Sequence, residues 1–116
     1  MAAAALPLWA HHSFAAEYDV KKPVHLSGTI TRMEWTNPHA WIDLDVKNPD
    51  GTRTRWAIEA GTPNTLRRNG FSKSILDPGT LVIVNGYRAK DGSHRASGTN
   101  VTLPSGRKLL LEASGS

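Results

Sequence analysis

Two adjacent histidines, His11 and His12, follow an apolar run, Met1 to Ala10 (MAAAALPLWA), that ends in Leu8-Trp9-Ala10 much as a secretory signal ends in a small residue. Cleavage before His11 would free its α-amine. That amine and a ring nitrogen of the same residue can chelate one metal ion together, forming a histidine brace. Another imidazole would complete the nitrogen-rich tetragonal set that Cu(II) prefers. His12 and His39 are the candidates for the remaining position, so the expected metal set is His11, His12 and His39, with copper as the candidate cofactor. The α-amine titrates near ~8, so proton competition should make such binding pH-dependent.

A second concentration of recognition chemistry lies at Trp35, Asn37, His39 and Trp41, with Pro38 shaping the turn between them. Two indoles with an amide and an imidazole could stack a sugar ring, a base or an aromatic ligand. The alternative is structural, with Trp35 in the core and Trp41 covering a sheet face. Lys47, Arg53 and Arg55 alternate along neighbouring strands and with Trp41 could form a nucleic-acid face, but alternating charges usually mark a solvated face, and an exported protein seldom meets nucleic acid. Asp43 and Asp45 are read as cross-strand partners of Arg53 or Arg55 rather than as paired catalytic carboxylates. His25 and His94 are expected to face solvent.

No catalytic residue is assigned. The chain has no glycine-rich phosphate loop, no serine in a nucleophile elbow and no His-Glu metal helix. With no cysteine, thiolate nucleophiles, thiolate zinc sites and disulfides are excluded, so any metal must use histidine, carboxylate or backbone ligands. A net charge of +4 permits anionic partners without demanding them. No apolar run after Ala10 approaches the roughly 20 residues of a membrane-spanning helix.

The elements that must position these residues follow from periodicity. Ala15 to Pro23 has no sustained period and is expected to be an extended or loosely turned lead-in, with the regular fold starting at Val24. Val24, Leu26 and Ile30 share one parity and Met33 and Trp35 the other, so a long first strand should carry a bulge near Thr31-Arg32. His39 to Val46 alternates, with Ala40, Ile42, Leu44 and Val46 on one face. Asn48-Pro49-Asp50-Gly51 turns it into a hairpin with Arg53 to Glu59, whose Trp56 and Ile58 point inward. Thr62, Pro63 and Gly70 mark the cap, first turn and stop of a short helix. Leu81 to Val84 is a β-branched run expected to be covered on both faces and extended by Gly86 to Ala89. Ala96 to Leu103 and Lys108 to Leu111 are the last strands.

Three strands, a short helix and two or three further strands define the expected fold, an all-β, OB-like antiparallel barrel of five to six strands with one short helix between strands 3 and 4. The expected organisation is a signal-like segment at 1–10, an N-terminal arm at 11–23, the barrel at 24–112 and a flexible tail at 113–116.

The stretches HHSFAAEYD (His11 to Asp19), EWTNPHAW (Glu34 to Trp41), GYRAKDGS (Gly86 to Ser93) and NVTLPSGRK (Asn100 to Lys108) cover nearly the whole chain after Ala10. Together they resemble an uncharacterised family of small exported bacterial proteins, a domain of unknown function that carries the double histidine directly after a signal peptide. The resemblance implies export and a small barrel but no activity. The departure is the shortened signal region, which lacks the usual positive start. The functional expectation is a periplasmic or secreted binding module that takes a metal ion through His11. A module for a small ligand, a glycan or a protein partner at Trp35 to Trp41 is the alternative, and a small copper enzyme ranks behind both.

Overall fold

A computed structural model describes residues 14–112, leaving His11, His12 and the proposed cleavage point outside the described residues. Six strands form one sheet: β1 (Tyr18–Glu34), β2 (Trp41–Lys47), β3 (Arg53–Glu59), β4 (Leu81–Ala89), β5 (Arg95–Thr102) and β6 (Lys108–Leu110). Their order is β3-β2-β1-β4-β5-β6, and a further pairing of β3 with β5 closes the first five into a ring. That closing seam is parallel and short, joining Ala57, Ile58 and Glu59 to Arg95, Ala96 and Ser97. The other pairings are antiparallel.

β1 serves both halves of the ring. Its first part pairs with β4 and its second with β2, and the strand changes partner around Gly28 and Thr29. The register slips between Ile30 and Arg32, where the parity of the apolar residues changes, so one bulge lets both halves of the strand bury their apolar side. Ile30, Ile42, Leu44, Ile58, Val84 and Val101 meet in the interior. The one helix of the second half, α1 (Pro63–Arg68), lies between β3 and β4. Thr62 caps it by accepting the Thr65 N–H at 3.0 Å. From there Leu66, Phe71 and Leu76 are buried against the strand residues.

Two local expectations differ from the structure. Residues 14–17 are helical and β1 begins at Tyr18, six residues before Val24. The cause is Tyr18, which is only 4% exposed and gives the lead-in a reason to join the sheet opposite Ala89, although pairing with β4 is irregular until Pro23. The run Leu81 to Val84 is not covered on both faces. Val82 and Val84 are buried, Ile83 is half-buried and Leu81 is exposed, because Leu66, Phe71 and Leu76 join the interior that Val82 and Val84 face rather than cover the other side of β4.

Candidate functional site

His39 stands just before β2 in the loop that leaves β1, and Glu59 is the last residue of β3. The hairpin register sets Trp41 opposite Glu59, and the backbone bonds Ala40 N–H to Gly61 O and Ala60 N–H to Ala40 O, both 2.9 Å, fix the strand ends beside each other. The His39 ring nitrogen Nδ1 is therefore held against Glu59 Oε2. The other carboxylate oxygen, Oε1, accepts the Tyr18 hydroxyl. An acceptor carboxylate requires the imidazole proton to sit on Nδ1, which leaves the lone pair of the neutral ring on Nε2. The His39 side chain is 43% exposed while Glu59 is 17% exposed, so the carboxylate is largely enclosed and the imidazole reaches outward from it.

Behind this pair lies a network that draws on three strands and the helical residues just before β1. Arg95, at the start of β5, donates to Glu17 Oε1 at 2.8 Å and to the Tyr18 hydroxyl at 3.4 Å, with its guanidinium 5.2 Å from the Tyr18 ring centre. Phe14 packs on Tyr18 and Tyr87 at ring-centre distances of 5.6 and 6.2 Å. The Lys90 N–H donates to Glu17 O at 2.8 Å. Residues 14 to 18 are thus fastened beside the site by an ion pair, two ring contacts and a backbone bond.

Burial pushes the Tyr18 phenol well above its ordinary value, the Glu59 hydrogen bond and charge push the same way, and Arg95 opposes them. A folded-state value above the unfolded one means that the native protein holds the proton more tightly. The associated stability is complete below the ordinary phenol value of 10.0 and declines as pH rises beyond it. Thermal melting across alkaline pH should show this decline. Tyr18→Phe should flatten it while lowering stability at neutral pH by about 1–2 kcal/mol, because Glu59 loses a donor.

The other residues singled out by sequence separate into distinct places. Trp35 is half-buried against the core and turns toward α1, lining a groove with Arg67, Phe71, Ser72 and Lys73. Asn37 is exposed and precedes a cis proline, Pro38. Trp41 is half-buried across from Glu59. The groove that Trp35 lines does not count Asn37, His39 or Trp41 among its residues. Asp45 pairs with Arg53 at 2.9 Å, as the cross-strand reading expects. His25 is exposed and bonds Asn85 at 2.6 Å, and exposed His94 packs its ring 5.1 Å from Trp56.

Among the described residues no group of three or more histidine, cysteine or acidic side chains could hold a metal ion. No helix in that span is long and apolar enough to cross a membrane. Residues 1–100 match the Family of unknown function (DUF6152). The chain belongs to that family. The part matched to DUF6152 includes Tyr18, His39, Glu59 and Arg95, so the whole network lies within the domain that defines membership. No curated protein and no solved structure matches the chain.

Glu59, Tyr18, Arg95 and Glu17 escape a reading of local spacing. Glu59 is 20 residues from His39, brought there by the hairpin, while it is 41 from Tyr18 and Arg95 is 78 from Glu17, so these last contacts need the tertiary fold. The available signal was the motif HHSFAAEYD itself, which contains both Glu17 and Tyr18.

Proposed function

We propose that this protein is an extracytoplasmic binding module that takes a copper ion through the α-amine and ring of His11 and the Nε2 of His39. The observation that carries the reading is the hydrogen bond from His39 Nδ1 to Glu59. Metal-ligating histidines usually donate their second ring nitrogen to a carboxylate, which fixes the tautomer, orients the ring and raises ligand basicity. His39 has that partner, and Tyr18 holds the partner in turn.

The fastening of residues 14 to 18 supports the same reading. His11 lies three residues before Phe14, a covalent reach of at most about 10 Å, and Phe14 packs on the tyrosine that bonds Glu59. The described residues supply one outward-facing imidazole there, so the remaining ligands would come from His11, with His12 as the other nitrogen within reach. In this role the protein binds and holds the metal. Substrate chemistry has no assigned residue.

The test is chemical and concerns the first residue. Protein matured through an export route, shown by intact mass to begin at His11, should bind one Cu(II) and give the tetragonal nitrogen-rich signal in electron paramagnetic resonance. A form that keeps Ala10 attached should lose both the high affinity and that signal. Equal copper binding by the two forms would overturn the brace.

A further inference from the structure

The groove beside Trp35 does not include His39 and has a chemistry of its own. It is a half-open groove of about 390 Å³ between the end of β1, the last turn of α1 and the loop that follows, and it is lined by Trp35, Arg67, Phe71, Ser72 and Lys73. That volume falls in the lower part of the ~300–1,000 Å³ range typical of small-molecule sites. The lining joins two aromatic rings to two cations and a hydroxyl, and contains no carboxylate.

The cations matter for where they stand, beside an indole; among the described residues neither Arg67 nor Lys73 makes an ion pair, a state they share with most lysines and arginines of the chain. Arg67 donates instead to the neutral Asn64 side chain at 2.9 Å. A third cation adds to the same field, because the Arg107 guanidinium reaches over Gly70 to within 3.0 Å of where a β-carbon there would stand, next to Phe71 in sequence. The negative end of α1 accounts for a cation in its last turn, such as Arg67. It does not account for Lys73 and Arg107, which come from the following loop and from the turn before β6.

We propose that this groove binds a small, flat organic anion, with its ring against Trp35 and its carboxylate or other acidic group between Arg67 and Lys73. A planar ring gains contact area and favourable quadrupole geometry on an indole face. A guanidinium and an ammonium on one side give the acidic group charge-assisted hydrogen bonds, and Ser72 can donate another. The lining shares no residue with the network of His39, Glu59 and Tyr18, so this site and the copper reading are tested separately.

The probe is 2-naphthoate, with the uncharged 2-naphthol as its control, added to isotope-labelled protein while the tryptophan indole N–H signals are followed by NMR. Trp35→Phe identifies the Trp35 signal. The expected result is a saturable shift of that signal with naphthoate, and binding weaker by roughly tenfold or more with naphthol, the scale of one charge-assisted hydrogen bond. Arg67→Gln combined with Lys73→Gln should weaken naphthoate to a similar degree. These side chains are exposed, so the melting temperature of the double variant should be unchanged. The proposal is overturned if the Trp35 signal stays still up to millimolar naphthoate, if naphthol binds as well, or if the double variant keeps full affinity. Tighter binding of an acidic peptide such as hexaglutamate would also overturn it, in favour of a protein-docking surface.

Discussion

Copper affinity should fall by more than ~100-fold when His39 is changed to alanine, and by about 10–100-fold when Glu59 is changed to glutamine, the cost usual for removing a partner behind a metal ligand. The two substitutions act differently. The first removes Nε2 itself. The second keeps the imidazole but replaces the acceptor at Oε2 with an amide that can present its NH2 to Nδ1, which reverses the tautomer preference and turns the lone pair away from the outer nitrogen. Isothermal titration with Cu(II) against protein beginning at His11 measures both. The Glu59→Gln signal in electron paramagnetic resonance should also change, whereas a merely structural role for Glu59 would leave the signal of the bound metal as it was. Unaltered affinity in His39→Ala would place the third nitrogen elsewhere, with His12 the remaining candidate.

The largest loss of stability should follow Gly86→Ala. A β-carbon at Gly86 would stand 2.1 Å from the Ser97 carbonyl oxygen, 3.0 Å from its carbon and 3.1 Å from the Gly98 α-carbon. All three are backbone atoms of β5, so no side-chain rotation relieves the clash, and β4 and β5 must separate where Gly86 pairs with Gly98. Overpacking that a core can absorb costs ~1–3 kcal/mol; a displaced central strand pair should exceed about 4 kcal/mol. Thermal unfolding followed by circular dichroism would then show a melting temperature lowered by well over ~10 °C for a domain of this size. Gly51→Ala is the comparison. Its site has open space around it and only a φ of 91° to strain, so the loss there should be about 1 kcal/mol.

Much of the ring was legible because its rules are local. The parity change between Ile30 and Met33 located the bulge, the Asn48 to Gly51 turn located the hairpin, and Thr62-Pro63 located the start of α1. Strand β3 has the bounds that alternation gives it, with Trp56 and Ile58 buried. The lead-in was misread because Tyr18 belongs to β1 through contacts with Glu59 and Arg95, far along the chain, and not through any pattern among its neighbours. The outer face of β4 was misread for a related reason. A continuous apolar run looks the same whether or not something covers it, and Leu81 is 61% exposed.

The candidate site divides along the same line. His39 was visible as a histidine at a strand mouth, but the carboxylate that sets its tautomer arrives from β3 and the phenol behind that carboxylate from β1. Trp35 and Trp41 were visible as a pair six residues apart. The neighbours that each meets come from other elements, α1 and its following loop for Trp35 and β3 for Trp41.

The parallel seam of three residue pairs ends on Glu59, the acceptor for His39. So short a junction is where the cylinder would first come apart, since few interactions resist its opening. On the proposed reading, a metal held by His39 would stabilise the folded protein as a whole, by roughly 2.7 kcal/mol at a hundredfold excess over the dissociation constant. Filling the site would then oppose the opening of that seam.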